Sequence, residues 1–289
     1  MTKYIRYAAT PTLVLFGIFF AMKGQYWMWV YQAIFTLIVI FGDLFLGDDR
    51  SQPEYAAPKL LNFFLYINLP LLFTILAISI WMAGSLPLPA WGVSLMDARE
   101  ETTFIHLVGY VIVLGLMVAT AGTNVGHELT HRKRNRFDMF MGNWLLALTW
   151  DCSFAIEHVY GHHKYVATSI DPATAKRGQN PYNFILRAIF LNQRNAWIIE
   201  NSRLIKKGLR PLSIQNRMLI GYARSGILTG AAYLLAGWTG VILFLLISIG
   251  GKVVLEGVNY MEHYGLIREE GTPILPKHSW NTNRRVSSF

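Results

Sequence analysis

Only one of the 289 residues, Cys152, is a cysteine. That excludes an intrachain disulfide and a thiolate zinc cluster, so any bound metal must be held by imidazole and carboxylate. Acidic residues are also few, 17 against 26 Lys and Arg, for a formal net charge of +9. A basic balance suits nucleic acid only when it gathers on a soluble surface. Here the cations crowd into "HRKRNR" and "RLIKKGLR" between 124 and 217, as they do in the cytoplasmic loops of membrane proteins. No nucleic-acid partner is therefore expected. After "MTKYIR" the apolar run continues without a small-residue cleavage site, so the start reads as a first membrane helix and not as a removable signal. The chain has no internal repeat, low-complexity tract or separate soluble stretch, and 1–289 reads as one membrane-embedded domain.

What the sequence has in quantity is hydrocarbon: 53% of residues are hydrophobic and the mean hydropathy is +0.32. Six runs approach the roughly 20 apolar residues that cross a bilayer core, near 8–23, 26–46, 61–83, 103–123, 218–236 and 238–257. The predicted fold class is all-α integral membrane, with six transmembrane helices. Six spans put both termini and the segment 124–217 on one side. The basic runs of that segment make it cytoplasmic, because the loop "LPLPAWGVSLMDAREE" opposite is acidic and apolar. The stretch "FMGNWLLALTWDCSFAIEH", 140–158, is too short and is interrupted by Asp151. It reads as a buried or re-entrant helix. Beyond it, "FILRAIFLNQRNAWIIENSRLIKK" reads as an amphipathic helix on the cytoplasmic surface.

Histidines cluster at the cytoplasmic ends of these helices. "NVGHELTHRKR" places His127 and His131 four apart, on one helical face. "EHVYGHHKYVAT" repeats the spacing with His158 and His162 and adds His163, about 100° further round. "GVNYMEHYGL" supplies His263 just past the last run. A lone histidine at a helix end is ordinarily solvated, but two i, i+4 pairs with an adjacent third imidazole on one membrane face read as a metal site. His106 lies at the opposite end of its helix and reads as an interfacial residue; His278 carries no assignment. "HELTH" also satisfies H-E-x-x-H, in which Glu128 would activate water for a zinc protease. Such a site needs one further ligand and leaves most of the other imidazoles without purpose. Six imidazoles suit two metal ions, and their chemistry leaves the element open. A glutamate adjoins each cluster, at Glu128, Glu157 and Glu262. Each is a candidate to orient a neighbouring ring, or simply a helix-end charge. Gly126 and Gly161 allow close backbone approach.

"HELTHRK", "EHVYGHHKYVATSIDPATAKRG" and "NYMEHYGL" together resemble the histidine motifs of integral-membrane non-haem diiron monooxygenases, above all the bacterial alkane 1-monooxygenases. Xylene monooxygenase and the membrane fatty acid desaturases are more distant relatives. The resemblance runs from about "GDLFLGDDRSQPE" to "HSWNTN". It implies a helical bundle in the bacterial cytoplasmic membrane and two iron ions at its cytoplasmic end. His127, His131, His158, His162, His163 and His263 would be the iron ligands, with Asp171 and Asn259 close by. The implied reaction is O2-dependent hydroxylation of a terminal methyl group of an alkane or alkyl chain to a primary alcohol. Electrons would come from a rubredoxin- or ferredoxin-type carrier with its own NAD(P)H reductase. Phe35, on the second helix, is a candidate limit on substrate length. The chain departs from the family in one respect. Relatives continue past "HSWNxN" into a cluster like "LQRHSDHH", whereas this sequence stops at "RRVSSF". The expectation is a truncated chain; the rival expectations are the zinc protease and a membrane protein left catalytically incomplete.

Overall fold

The structure is a computed structural model that describes residues 2–50, 56–87 and 93–286. Among the described residues it is all-helical and contains no strand. In chain order the helices are α1 (Thr2–Lys23), α2 (Trp27–Leu46), α3 (Pro58–Tyr66), α4 (Asn68–Trp81), α5 (Val93–Glu100) and α6 (Phe104–Met117). A π-helical turn, Val118–Thr123, joins α6 to α7 (Asn124–His131). Then come α8 (Arg136–Ala147), α9 (Phe154–Glu157), a second π-helical turn (His158–His162), α10 (His163–Tyr165), α11 (Pro181–Lys206) and α12 (Arg217–His263). The expected loops 47–60 and 86–101 are described only in part, because 51–55 and 88–92 lie outside the described residues.

Among the described residues, four helical stretches are long and apolar enough to cross a membrane: Trp27–Leu46, Pro58–Trp81, Phe104–His131 and Arg217–His263. α1 overlaps the expected span 8–23 but is not one of the four. Two expected spans, 218–236 and 238–257, both fall inside α12, which is broken at Ala236 and Gly237. Gly237 has a φ of 57° and a ψ of −145°, a backbone state open to glycine alone. A Cβ at Gly240 would collide with the Ala232 carbonyl. In a continuous helix, eight residues are separated by about 12 Å, so the chain doubles back at Gly237. The junction of α3 and α4 has a local cause too. Pro70 has no N–H to give to the Tyr66 carbonyl, and nearby Asn68 Nδ2 donates to Phe64 O at 2.7 Å, near the end of α3.

The packing resolves into two compact units, 1–125 with 229–250 and 282–289, and 126–228 with 251–281. In the first, α1 packs on α4 and α2 on α6. Tyr110 donates to Ala21 O at 2.6 Å, Tyr31 to Leu13 O at 3.1 Å and Trp29 Nε1 to Ile105 O at 3.0 Å. The outer side of α2 leaves Leu44 66% and Phe45 73% exposed, an apolar surface suited to lipid and costly in water. Inside, Tyr31 stacks on Phe35 with centroids 6.4 Å apart. The two rings line an apolar cleft with Leu13, Val113 and Met117 that is closed down to about 20 Å³.

The second unit carries seven of the eight histidines. The expected single helix over 140–158 is instead two short ones: α8 ends, Trp150 takes a positive φ of 53°, and α9 begins at Phe154. Asp151 is the reason, since its buried carboxylate takes Ser153 Oγ at 2.6 Å and Lys252 Nζ at 3.2 Å. The helix expected after residue 172 forms as α11. It buries Phe184, Ala188, Ala196, Glu200 and Leu204 along one stripe and exposes Leu186 and Phe190.

Glu200 ties α11 to the start of α12. Its carboxylate is 0% exposed and accepts Arg203 Nε at 2.8 Å, Arg217 Nε at 2.8 Å and the Arg217 backbone N–H at 2.7 Å. Burial alone would raise its pKa, but the two guanidiniums outweigh burial and hold it at about 2. A carboxylate depressed in the folded state stabilises the fold above its unfolded pKa, about 4.3, and that stabilisation is lost as pH falls towards the folded value. Glu200→Gln is expected to cost about 3 kcal/mol at neutral pH, by leaving two arginines without their carboxylate. Melting curves in detergent at pH 7 and pH 3 check this: the gap between wild type and variant should narrow at pH 3. A pH-independent gap would show that the charge is not what matters.

Candidate metal centre

His127 and His131 sit one turn apart on α7, with ring centroids at 4.6 Å. α7 is seated on α8 at two glycines. A Cβ at Gly126 would stand 3.1 Å from Gly142 O, and one at Gly142 would stand 2.9 Å from Thr130 Cγ2, so only small residues permit this crossing. Facing α7, α9 runs directly into the π-helical turn His158–His162 and then α10. A π turn closes on i and i+5 instead of i and i+4, and the histidines sort accordingly. His158 and His163, not His158 and His162, meet the pair on α7.

Nε2 of His158 is 2.9 Å from Nε2 of His127 and 3.0 Å from Nε2 of His163, which is 3.3 Å from Nε2 of His131. All four ligand atoms lie within 4.8 Å of one another. Hydrogen bonding cannot account for the whole set, because a neutral imidazole presents one proton and His158 Nε2 alone faces two other ring nitrogens. A cation can. Imidazole nitrogens about 2.0–2.1 Å from one ion, at right or tetrahedral angles, are about 2.9–3.4 Å from each other. Electrostatics point the same way. Burial, then the neighbouring imidazoles, hold His158 well below the usual histidine range, and burial with His131 pushes His163 down to about 4. Both are neutral at pH 7, the form that ligates.

His162 turns to the other side. It is buried, and its Nδ1 donates to Asp171 Oδ2 at 3.0 Å, so that in the neutral ring the lone pair is on Nε2. Burial lowers its pKa, but the Asp171 carboxylate outweighs burial and raises it overall. Asp171 is in turn fixed by Thr174 Oγ1 at 2.6 Å and the Ala173 N–H at 3.1 Å. His263 stands next to His162, with centroids 4.9 Å apart, and its Nδ1 donates to the carbonyl of His278 at 3.2 Å. Both rings are thus oriented through Nδ1 with Nε2 left over, the arrangement in which an outer partner sets the tautomer of a metal ligand.

The remaining candidate residues fall as follows. Glu128 pairs with Arg132, Oε1 to Nη2 at 2.7 Å, on a side chain 54% exposed. Glu262 Oε2 is 3.8 Å from His263 Nε2, beyond hydrogen-bonding distance. Glu157 is buried, and its Oε1 has no hydrogen-bond partner among the described residues. Burial, then the charge of Asp171, pushes Glu157 up to about 8. A Cβ at Gly161 would lie 2.5 Å from Oε1, so a side chain there would displace the Glu157 carboxylate. Asn259 donates to Glu256 Oε2 at 3.1 Å, and Asn192 to Glu256 Oε1 at 2.9 Å. These groups line a cavity of about 10 Å³ that His158 and His162 also border, room for about one water. His106 lies in the other unit and accepts the Thr103 N–H at 2.9 Å as a helix cap. The His278 ring likewise accepts the Leu275 N–H, at 3.0 Å, so only its carbonyl reaches the site.

Sequence reasoning missed Glu256, Asn192 and the His278 carbonyl. A buried carboxylate within an apolar run was the available signal for Glu256. A backbone carbonyl gives none.

The fatty acid desaturase family profile matches residues 102–289. The chain belongs to the fatty acid desaturase family. It is 30% identical to alkane 1-monooxygenase 2 of Alcanivorax borkumensis, over 96% of this chain and 72% of that protein. It is 32% identical to alkane 1-monooxygenase 1 of Pseudomonas aeruginosa, over 91% and 71%. The xylene/toluene monooxygenase hydroxylase component XylM of Pseudomonas putida is 30% identical over 96% and 71%. These relatives and the four apolar helices make the chain a membrane protein of monooxygenase kind, and the donor set suits iron as well as zinc.

Proposed function

We propose that the chain is the membrane hydroxylase of an O2-dependent system that converts a terminal methyl group of an alkane or alkyl chain to a primary alcohol. One oxygen atom enters the C–H bond and the other leaves as water, with two electrons and two protons supplied. The observation that carries this reading is the convergence of four imidazoles through three Nε2–Nε2 approaches of 2.9–3.3 Å. His127, His131, His158 and His163 would hold one iron, and His162 with His263 would contribute to a second. Iron bound there supplies the redox chemistry that activates dioxygen. The protein's own part is to hold the imidazoles neutral and oriented, through Asp171 and the His278 carbonyl, and to surround the site with apolar helices from which a lipid-soluble substrate can enter. The two protons can be relayed through the polar cavity of Glu157, Glu256 and Asn259.

The zinc-protease alternative is less well supported, because the glutamate it needs is tied to Arg132. Metal analysis of the anaerobically purified chain, together with product analysis on a medium-chain alkane, tests the assignment. About two irons per chain and a primary alcohol support it; one zinc and peptide cleavage overturn it.

A rubredoxin- or ferredoxin-type carrier would dock on the cytoplasmic basic surface. Arg132 is partly neutralised by Glu128, so Lys133 and Arg134 carry most of the free charge of "HRKR". Neutralising all three is expected to lower the low-salt rate constant for carrier reduction of the enzyme by about tenfold. It should also flatten the salt dependence; unchanged stopped-flow kinetics across ionic strength would remove this docking surface.

Phe35 closes the apolar cleft of the first unit. Phe35→Ala is expected to change the ratio of long- to short-chain turnover by about tenfold in favour of longer alkanes, about the effect of a methylene or more in a hydrophobic pocket. Product profiles from mixed alkanes measure it, and an unaltered profile in active enzyme would dismiss Phe35 as a gate.

A further inference from the structure

A second cavity of the second unit lies apart from the metal centre. It is a cleft of about 330 Å³ between α8, α9 and the start of α12, within the size range of small-molecule sites. Four cations line it, Lys133, Arg136, Arg217 and Arg224, and no carboxylate does. Among the described residues only Arg217 of these four has an anionic partner, Glu200, at 2.6 Å. Lys133 lies over the Tyr160 ring at 4.2 Å. Arg136 and Arg224 have no ion-pair or side-chain hydrogen-bond partner among the described residues. Arg224 is the informative one. It is half-buried and lies seven residues beyond Arg217 on α12, about 10 Å further along a helix apolar enough to span the bilayer. A guanidinium at that depth needs an anion to offset its desolvation. Apolar side chains line the same cleft beside these cations: Phe140, one turn beyond Arg136 on α8, is 52% exposed, and Ile220, between Arg217 and Arg224 on α12, is 38% exposed.

Cations set beside exposed hydrocarbon in one cleft match a molecule that carries both a phosphate and acyl chains. We propose that this cleft is a binding site for an anionic phospholipid, its phosphate held between Arg136 and Arg224 and its chain lying on Phe140 and Ile220. Free phosphate would leave the apolar wall uncovered, and an acidic protein surface would not reach Arg224. The site stands apart from the metal reading and does not depend on it.

Native mass spectrometry of the full chain in neutral detergent, titrated with phosphatidylglycerol or phosphatidylcholine, tests the proposal. Wild type should retain phosphatidylglycerol at concentrations where phosphatidylcholine is lost. Arg224→Gln with Arg136→Gln should weaken that retention by about tenfold or more, the loss of at least one charge-assisted contact. Arg210→Gln, an exposed cation outside the cleft, should not. Arg136→Gln alone, at an exposed position, guards against a folding defect and should give an intermediate loss with unchanged helix content. Equal retention of both lipids, or equal phosphatidylglycerol binding by wild type and double variant, would overturn the proposal. So would displacement by millimolar inorganic phosphate, which would mark a free-anion site, or a double variant altered only in its affinity for the electron carrier.

Discussion

Substitution of His158 by alanine is expected to remove most of the bound iron and to lower alcohol formation more than about 100-fold. Even the outer partners of a ligating histidine are worth about 10–100-fold in affinity or activity, and His158 is the node of the cluster, the one ring whose Nε2 lies within 3.0 Å of two others. It is half-buried among those rings and stacked on Phe154 with centroids 4.4 Å apart. Its loss therefore opens a gap at the centre of the donor set that His127 and His163 cannot close from opposite elements. His106→Ala is the contrasting variant. It removes a helix cap worth about 1 kcal/mol and should lower the melting temperature slightly while leaving iron content untouched. Iron per chain by elemental analysis and product by gas chromatography measure both. Full iron loading in a folded His158→Ala protein would show that the convergence of these rings serves packing and not a metal.

The pairing of these segments was legible in the sequence because ligand chemistry leaves a pattern that helical periodicity can decode. His127 and His131, four apart, do share a face of α7. The same rule applied to His158 and His162 fails, since it assumes an α-helical period and the chain adopts a π turn there. The extra residue in that turn sends His163 towards α7 and releases His162 towards Asp171 and His263. No propensity of "HVYGH" announces this. It follows from the tertiary demand that five consecutive positions serve two directions at once, and π turns recur at such functional places.

The buried charges were the other blind spot. Read alone, Asp151 ends a candidate span, and Lys252 and Glu256 are blemishes in the run 238–257. In the structure Asp151 and Lys252 form an ion pair across 101 residues of chain, and Glu256 is held by two amides. Each charge is tolerated because its partner comes from another element, which one-dimensional hydropathy cannot see. The boundary expected between 218–236 and 238–257 was legible, and it falls where α12 breaks at Ala236–Gly237; the positive φ of Gly237 that lets the chain double back there was not.

Asp171→Asn is expected to weaken iron binding and hydroxylation by about 10–100-fold with little change in fold. Asp171 accepts from His162 Nδ1, Thr174 Oγ1 and the Ala173 N–H, and it is the acceptance at His162 that fixes where the imidazole proton sits. With the proton on Nδ1, Nε2 presents a lone pair towards His263. An asparagine of the same shape has one acceptor in place of two and carries no charge. Either its NH2 faces a donor, or His162 moves its proton to Nε2 and loses the lone pair. Thr174→Val removes one of the same hydrogen bonds without touching the tautomer and should cost stability but less than a few-fold in iron affinity. If the two variants lose iron equally, Asp171 acts only by holding the loop 171–174 in place. If Asp171→Asn alone loses it, and its near-ultraviolet circular dichroism and melting temperature stay near wild type, the carboxylate acts through the ring nitrogen of His162.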